Sequence, residues 1–569
     1  MGTYSIEEHW HSKPRPLRIV SVGAGATGLL VAYKLKQDFE NYELTIYEKN
    51  PEIGGTWFEN RYPGCACDIA HDSCGPAHTY TYSFEPNPNW SKFYAGSAEI
   101  KQYFEDFATK YDLRGHIRTN TKVVSAKWEE QTGTYRVELE KDGVISHDWC
   151  NILINGTGNL NNWKWPDIPG LHTFGGNLVH SANWNNDIVL DGKTVAVIGT
   201  GSSAIQIIPQ IQPRVKQLVP FMRSTTWISG PWATEVLEKS KGKSGAPGTA
   251  TMSQYEYTEE DKEWFRTHPQ EFLAYRKELE TLFNEMFDMF LRDSEASVKA
   301  QAHMQAEMLR RLGPGHEELK KHLIPLWPAG CRRLTPGEGY LEALVAENVT
   351  PVHQEIVEIT PEGLVDQTGK LHKVDAIICA TGFDVSFKPS FQVLGVDGIN
   401  MAEAFEPEPY SYLGMTVPKF PNYFTVNGIR GSWAVGTALN SIEACLNYIL
   451  TCVHRIQNEN IRALEVKMDP IQELYAHIDE WHKRSVWGAD CKSWYRNNIP
   501  GGRLWIWGGS ALHYMKSVDF VRWEHYEFRY NNKNRWAFLG NGQVEAEVTK
   551  KRSQLTPYIR NSDESWHIA

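Results

Sequence analysis

Cysteine is scarce in this sequence, and its spacing argues against one class of enzyme. Nine cysteines are spread over 569 residues, and no two of them form a Cys-x-x-Cys pair. Disulfide reductases that bind two dinucleotides need such a redox-active pair beside the flavin, so that class is disfavoured. A sparse, odd-numbered set is typical of reduced thiols, and we therefore expect a cytoplasmic protein.

Basic tracts and long apolar runs are also missing. The formal net charge is −11 and the isoelectric point is about 6.0. This balance argues against nucleic acid or an anionic membrane as a partner. Residues 1–13 are polar, and no apolar run reaches the length of a membrane span. We therefore expect neither a signal peptide nor a transmembrane anchor.

Apolar and aromatic side chains are abundant instead. Hydrophobic residues make up 41% of the chain and aromatic residues 12%, with 21 Trp and 25 Tyr. A chain of 569 residues is long enough for several domain-sized units with a large core. The composition predicts a globular protein.

A glycine-rich loop follows the first β-branched run. Residues 17–22 predict a buried parallel strand, and residues 23–28 read Gly-Ala-Gly-Ala-Thr-Gly. Gly23 and Gly25 lack a Cβ, which lets a pyrophosphate approach the backbone at a helix N-terminus. Gly28 lets the helix pack closely on its strand. An apolar helical start follows, so the context predicts a dinucleotide-binding unit.

A second loop repeats this pattern. Residues 194–198 predict another buried strand, and residues 199–204 read Gly-Thr-Gly-Ser-Ser-Ala. Gly199 and Gly201 meet the same need for close backbone approach, and Ala204 is the small packing residue. The two loops predict an α/β fold with two Rossmann-like dinucleotide-binding domains.

The residue after the next strand distinguishes the two nucleotides. Glu48 lies 20 positions after Gly28, where a carboxylate accepts both ribose hydroxyls of FAD. Arg223 lies 19 positions after Ala204 and precedes Ser224. A guanidinium binds a 2′-phosphate in a fork, so the second site is predicted to prefer NADPH. The alternative is that Glu48 and Arg223 are ordinary exposed charges at strand ends.

The chain is predicted to leave the first domain and return to it. Buried strands at 151–158 and 373–384 look like counterparts at the two crossings. Between them, a charged stretch without strand alternation predicts a helical insertion that covers the NADPH domain, and 239–251 predicts a mobile loop. The expected divisions are FAD-binding domain 1–158 and 375–569, the latter with a C-terminal extension, NADPH-binding domain 159–234 and 324–374, and helical insertion 235–323.

One more motif lies between the two loops and carries a family resemblance. It reads Phe174-x-Gly176-x-x-x-His180-x-x-x-Trp184. With the two loops, it makes most of the chain resemble the type I Baeyer–Villiger monooxygenases. The family signature ends in Pro or Asp, and this chain has Asn185 there. The resemblance implies that His180 has a structural and cofactor-coupling role and does not transfer protons.

The resemblance also implies the reaction. In this family, FAD and NADPH serve to insert one oxygen atom of O2 beside a ketone carbonyl through a C4a-peroxyflavin, which gives an ester or lactone. The segment 330–336 resembles the one whose second basic residue is catalytic, which here is Arg333. A permanent cation keeps the peroxide anionic and then stabilises the oxyanion of the adduct. Asp68, at the end of the flavin-side loop, is expected to orient that guanidinium.

Further cofactor contacts follow from the same resemblance. Arg332 is expected to join Arg223 at the 2′-phosphate, and the indole N–H of Trp494 to reach the nicotinamide ribose. The expected cofactor-binding residues are Gly23, Gly25, Gly28, Glu48, Thr56, Trp57, Asp68, Gly199, Gly201, Ser202, Ser203, Arg223, Ser224, Arg332, Thr381, Gly382 and Trp494.

An insert relative to the family pattern occupies residues 70–75. With Cys65, Cys67 and His78 it places thiols and imidazoles close together, but the spacing fits no standard zinc finger, so no metal is expected. Our hypothesis is that the insert shapes the flavin-side wall of the substrate pocket. Two other functions remain open: a flavin N- or S-oxygenating enzyme, and a non-catalytic nucleotide-binding protein.

Overall fold

A computed structural model of the protein describes residues 4–67, 75–230, 236 and 255–568. Its strands are β1 (Leu17–Val22), β2 (Tyr42–Tyr47), β3 (Ile117–Arg118), β4 (Lys122–Glu129), β5 (Thr134–Lys141), β6 (Val144–Cys150), β7 (Ile152–Asn155), β8 (Asn177–His180), β9 (Thr194–Ile198), β10 (Gln217–Phe221), β11 (Ile356–Thr360), β12 (Gly363–Asp366), β13 (Leu371–Lys373), β14 (Ala376–Cys379), β15 (Gln392–Leu394), β16 (Tyr423–Thr425), β17 (Ile461–Val466) and β18 (Tyr526–Tyr530).

The α-helices of the described ranges alternate with these strands. They are α1 (Ala26–Asp38), α2 (Thr56–Glu59), α3 (Ser97–Lys110), α4 (Ser202–Ile211), α5 (Glu259–Thr267), α6 (Pro269–Glu285), α7 (Glu295–Leu312), α8 (Glu317–Leu323), α9 (Tyr340–Leu344), α10 (Met401–Ala404), α11 (Ala438–Asn458), α12 (Asp469–His482), α13 (Ala511–Val518) and α14 (Glu545–Val548). None of these helices is both long enough and apolar enough to cross a membrane.

The first unit is built on a parallel sheet of order β16–β7–β1–β2–β3. Strand β1 lies at its centre, and four of its six residues form a continuous buried run at the C-terminal end. Helix α1 connects β1 to β2, because two parallel neighbouring strands need a crossover connection. This arrangement confirms the first Rossmann-like domain.

The second unit repeats the plan with the order β10–β9–β14–β8, again parallel throughout. Helix α4 connects β9 to β10, and β14 pairs with β9 as β7 pairs with β1. An antiparallel three-stranded segment precedes the returning strand in each unit, β4–β5–β6 in the first and β11–β12–β13 in the second. The sequence-based prediction of two related nucleotide units is confirmed.

The expected boundary after residue 374 is misplaced. Strand β14 pairs with both β8 and β9, so the second unit continues at least to Cys379. The position of a buried strand along the chain does not show which sheet it joins. That choice depends on hydrogen-bond partners far away in sequence.

The described part of the insertion is helical and contacts both units. Helices α5 to α8 occupy its residues from 259 to 323, and a 3-10 helix at Met286–Phe290 follows α6. From α6, Arg276 donates to the carbonyl oxygen of His78 at 3.0 Å, and Glu280 accepts from Asn440 at 3.1 Å. His78 lies between β2 and β3, and Asn440 lies on α11, which packs against α1. The insertion therefore contacts the first unit in addition to the NADPH domain that the sequence predicted it to cover.

A continuous hydrophobic core joins the two units. One cluster of buried side chains includes Leu29 of α1, Ile205 of α4 and Leu279 of α6. Because all three helices contribute to the same cluster, the two nucleotide loops that precede α1 and α4 are held in a fixed relation. This relation lets both loops line one cleft.

Candidate active site

A large cleft lies at the carboxyl ends of β1 and β9, and its volume is about 1350 Å³. Ligands of open parallel sheets bind at this edge. The residues predicted from the sequence that line it are Gly23, Gly25, Glu48, Thr56, Trp57, Gly199, Gly201, Ser202, Ser203, Arg223, Ser224, Arg332, Arg333, Thr381, Gly382 and Trp494. Gly28 does not line the cleft, and Asp68 lies outside the described residues.

The first loop has the geometry that a pyrophosphate needs. Gly23 has a φ of +100°, and a Cβ there would lie 2.9 Å from the carbonyl oxygen of Gly156. Gly25 precedes α1 and has no side chain to occupy the first-turn amides. Gly28 faces the loop itself, and a Cβ there would overlap the carbonyl oxygen of Gly23. Gly28 therefore serves the packing of α1, while Gly23 and Gly25 serve the cleft.

The two glycines of the second loop are needed for different reasons, Gly199 for the backbone conformation and Gly201 for space in the cleft. Gly199 has a φ of +135°, and a Cβ there would overlap the carbonyl oxygen of Ala380. Gly201 has no positive φ, and a Cβ there would meet no atom of the described residues within 4 Å. Since Gly201 lines the cleft, its missing side chain leaves room on the ligand side of the loop. The loop fits a nucleotide that approaches the start of α4.

Glu48 is buried and held by the first loop. Its Oε2 accepts from the amide of Ala24 at 2.8 Å, and its Oε1 accepts from the amide of Asn50 at 2.9 Å. Burial raises the pKa of Glu48, and the two amide bonds oppose that shift. The carboxylate is thus fixed beside the loop, in the position from which it can accept ribose hydroxyls.

Three arginines form a basic wall on the second unit. Arg332 Nη1 donates to the carbonyl oxygen of Thr225 at 2.9 Å, and burial lowers the pKa of Arg332. The Nε of Arg333 is buried without a hydrogen-bond partner among the described residues. Arg223 lies 3.8 Å from Glu355. Partly desolvated guanidinium groups such as those of Arg332 and Arg333 favour an anionic ligand.

The remaining predicted residues complete the wall on both sides. Trp57 is buried and its indole N–H donates to the hydroxyl of Tyr80 at 3.1 Å. The ring of Trp494 lies 4.7 Å from that of Tyr495, in the 3-10 helix Trp494–Arg496. Both tryptophans line the cleft, so the structure brings these distant segments together.

The sequence did not predict how the flavin-side loop attaches to α4. The hydroxyl of Tyr62 donates to Gln206 Oε1 at 2.8 Å, and the hydroxyl of Ser203 donates to that of Tyr62 at 3.3 Å. Gln206 Nε2 donates to the carbonyl oxygen of Ala66 at 3.0 Å. The signal available in the sequence was Gln206, which lies between two isoleucines of α4, since a buried amide needs polar partners.

His180 connects the interdomain motif to the cleft. Its Nδ1 accepts from the amide of Ala182 at 3.1 Å, so Nε2 carries the hydrogen and donates to Thr381 Oγ1 at 3.2 Å. The ring stacks on Trp163 with centroids 4.6 Å apart. Burial lowers the pKa of His180 to about 4, which keeps the imidazole neutral. This geometry suits a residue that positions the Thr381 turn.

Comparison with known proteins gives the chain a family. A family model described as flavin-binding monooxygenase-like matches residues 17–237. The FAD-binding monooxygenase tazF of Aspergillus terreus is 39% identical over 542 residues, which cover 94% of this chain and 93% of that protein. A Baeyer-Villiger monooxygenase of Pseudomonas aeruginosa is 32% identical over 87% of this chain and 88% of its own.

The chain belongs to the type I Baeyer–Villiger family of flavin monooxygenases. A solved structure agrees with this assignment. Cyclohexanone monooxygenase from Rhodococcus sp. Phi1, bound to NADP+, has a TM-score of 0.75 at 25% identity, and the match covers 91% of this chain and 100% of that one. The protein is therefore a flavin-dependent monooxygenase, and a flavin and a nicotinamide nucleotide are the cofactors of its family.

The departure of this member from the family signature has a simple physical reason. The Oδ1 of Asn185 accepts from the amide of Asp187 at 2.9 Å, which forms an Asx turn. An aspartate oxygen makes the same bond, and a proline favours a turn by fixing φ. Asn185 therefore preserves the turn that follows Trp184.

Of the insert at residues 70–75, which the family pattern lacks, only Gly75 is among the described residues. Asp68 and residues 69–74 lie outside the described residues, and so does the predicted loop 239–251. Gly75 packs against α6, where a Cβ would lie 3.2 Å from the ring of Phe283. The described residues contain no group of three or more His, Cys, Asp or Glu side chains placed to hold a metal ion. The effect of the insert on the pocket remains a hypothesis.

One thiol prediction was wrong. Cys331 and Cys491 form a disulfide with Cα atoms 6.5 Å apart, although 160 positions separate them in sequence. Cys150, Cys379, Cys445 and Cys452 are free and buried. The small number of cysteines predicted reduced thiols. This prediction failed for two of them because spacing along the chain does not show which sulfur atoms meet in the fold. The cytoplasmic location, which was argued from those thiols, remains only a prediction.

Proposed function

We propose that this family member is an NADPH- and O2-dependent Baeyer–Villiger monooxygenase, which inserts an oxygen atom next to a ketone carbonyl and gives an ester or lactone. The observation that carries the proposal is the position of Arg333. It lines the cleft shared by both nucleotide loops, and its buried Nε has no partner among the described residues.

The two halves of the cleft suit the two cofactors. FAD is proposed to lie against Gly23, Gly25, Glu48, Thr56 and Trp57, since the loop admits a pyrophosphate and the carboxylate of Glu48 lines the cleft, where it can accept ribose hydroxyls. NADPH is proposed to lie against Gly199, Gly201, Ser202, Ser203, Arg223, Ser224, Arg332 and Trp494, near Thr381 and Gly382. Reduced flavin, when bound, would activate O2 so that one oxygen atom of O2 is transferred to the ketone.

Arg333 is proposed as the catalytic cation. Attack on a ketone carbonyl places negative charge on the carbonyl oxygen, and a fixed guanidinium stabilises that charge. Partial burial strengthens its electrostatic effect, because the surrounding dielectric is lower than that of water.

Asp68 is proposed to orient this guanidinium through a charge-assisted pair. It lies outside the described residues, so its role rests on the family resemblance alone. The proposal expects Asp68→Asn to weaken catalysis less than Arg333→Ala, because an amide keeps one hydrogen-bond acceptor while losing the charge.

Substrate choice tests the reaction class. The purified FAD-loaded enzyme is incubated with NADPH, O2 and either a ketone, a thioether or a tertiary amine, and products are identified by mass spectrometry. Ester or lactone formation supports the proposal. Sulfoxide or N-oxide as the sole product under all conditions would instead assign the chain to the N- or S-oxygenating alternative.

The role of Arg333 needs a matched control. Arg333→Ala is expected to lower kcat for ester formation by about two to three orders of magnitude, since a lost oxyanion-stabilising group costs that much. Arg214→Ala removes an exposed arginine of the same unit, which pairs with Asp191 at 2.6 Å and does not line the cleft. This control is expected to leave kcat unchanged. Equal ester formation by Arg333→Ala and wild type would refute the assignment.

A further inference from the structure

Arg223 and Glu355 form an ion pair in the wall of the cleft. Arg223 Nη1 lies 3.8 Å from Glu355 Oε1. Both residues line the cleft together with Ser224 and Gln354. The side chains are 67% and 63% exposed, so solvent and ligand both reach them. A carboxylate therefore lies beside the arginine that we assign to the 2′-phosphate.

The backbone fixes Glu355 at this place. The amide of Met222 donates to the carbonyl oxygen of Val352 at 2.8 Å, which attaches the chain just before Glu355 to the end of β10. The amide of Gln367 donates to the carbonyl oxygen of Glu355 at 2.8 Å. Strand β11 begins at the next residue. Rotation of the side chain can break the ion pair, but it cannot remove the carboxylate from the neighbourhood of Arg223.

The charge of Glu355 opposes a phosphate ligand. A 2′-phosphate carries between one and two negative charges at neutral pH, and it competes with Glu355 for the guanidinium. In the described part of the chain, Arg223 has no second carboxylate partner. Like charges about 6 Å apart in exposed surroundings change binding by roughly three- to tenfold.

A nucleotide without the phosphate meets the opposite situation. Its adenosine ribose carries a free 2′-hydroxyl, which can donate to the carboxylate of Glu355. A carboxylate that accepts ribose hydroxyls is the usual device for NAD recognition. The same side chain that repels one coenzyme thus contributes a hydrogen bond to the other.

We propose that Glu355 is a specificity-determining residue that reduces the preference of this enzyme for NADPH over NADH. The inference rests on the proposed NADPH site at Arg223. Arg223 favours the phosphorylated coenzyme and Glu355 opposes it, so the preference for NADPH is roughly three- to tenfold smaller than it would be without the carboxylate.

Calorimetric binding tests this directly, without turnover. The FAD-loaded enzyme is titrated with NADP+ and with NAD+ at low and at high salt. Glu355→Gln is expected to tighten NADP+ binding by roughly three- to tenfold, with a smaller gain at high salt, and to leave NAD+ binding unchanged or weaker. In an Arg223→Gln background, Glu355→Gln is expected to give a smaller gain, because the competition for the guanidinium is lost and only the direct repulsion of the phosphate remains.

A matched control and two distinct negative results complete the test. Glu362→Gln removes an exposed carboxylate that pairs with Lys373 at 3.1 Å and does not line the cleft, so it is expected to leave both affinities unchanged. If Glu355→Gln binds NADP+ like wild type while Arg223→Gln binds it more weakly, Glu355 has no role and the NADPH site stands. If Arg223→Gln also binds NADP+ like wild type, the proposed site itself is wrong, and the inference falls with it.

Discussion

Cys331 is bonded to Cys491, and each of these cysteines directly precedes a segment of the cleft wall. Arg332 and Arg333 follow the first cysteine, and Trp494 follows the second by three positions. The cross-link therefore fixes the distance between the proposed catalytic arginine and the proposed nicotinamide contact.

Breaking this disulfide is expected to lower stability and coenzyme affinity together. Replacing both cysteines by serine should reduce the free energy of unfolding by about 2–5 kcal/mol, because the unfolded chain regains the conformational entropy that the cross-link had removed. Urea unfolding measures the change, and calorimetry with NADP+ measures the affinity. A reductant should lower the melting temperature of wild type and leave the double variant unaffected. Two free thiols at these positions in untreated wild-type protein would contradict the cross-link.

The two glycines of the second loop are expected to fail in different ways. Gly201→Ala should fold normally, since its Cβ meets no described atom within 4 Å, yet lose at least about tenfold in NADP+ affinity because the methyl group enters the cleft. Gly199→Ala should also lower the melting temperature, because its φ is +135°.

Gly115→Ala is the control for this pair, since a Cβ there meets nothing within 4 Å and Gly115 does not line the cleft. Thermal unfolding and calorimetric titration of the three variants give the comparison. Unchanged NADP+ binding by Gly201→Ala would remove the nucleotide from this loop.

His180 is expected to make the fold sensitive to mild acid. Burial lowers its pKa to about 4, below the value of about 6.5 in an unfolded chain. Between these two values the unfolded state binds more protons, so stability falls as the pH drops from about 6.5 toward 4. His180→Gln keeps polar contacts but cannot be protonated, and its melting temperature should fall less over this range.

Other buried histidines share the effect and supply the comparison. Burial also lowers the pKa of His482 to about 4, so a single variant should remove only part of the acid sensitivity. A melting-temperature profile of His180→Gln parallel to that of wild type from pH 4 to 7 would show that His180 is not buried in its neutral form.

Glu280 is expected to act in the opposite pH range. Burial raises its pKa to about 7, above its value in the unfolded chain, while Arg276 and the bond from Asn440 lower it. The protonated carboxyl is therefore favoured in the fold, and stability is lost as the pH rises through about 7. Glu280→Gln should raise the melting temperature at pH 8 relative to wild type and change it little at pH 5. Equal differences at both pH values would refute this account.

The residues that could be predicted from the sequence are those whose role depends on a local pattern. A strand followed by Gly23 or Gly199 and then by a helix start places a phosphate site within a few residues. Glu48 and Arg223 follow at fixed distances because one more crossover brings the chain back to the same sheet edge. These positions line the cleft as the local patterns indicated.

The errors, and the contact that the sequence did not indicate, all concern long-range partners. The pairing of β14 with β9, the contact of Arg276 with His78 and the Cys331–Cys491 bond each join residues far apart in sequence. Strand periodicity, a helical stripe and cysteine spacing describe which surface is buried, but they do not describe what covers it.

The sequence by itself determined the kind of unit, its two nucleotide loops and the sign of the charge after each second strand, because turns, helix starts and φ angles depend on neighbouring residues. Only the tertiary structure decided that the two loops share one cleft, that Arg333 lines it and that Glu355 lies 3.8 Å from Arg223. Those relations arise from packing of distant segments into a common core, and no local pattern in the chain contains them.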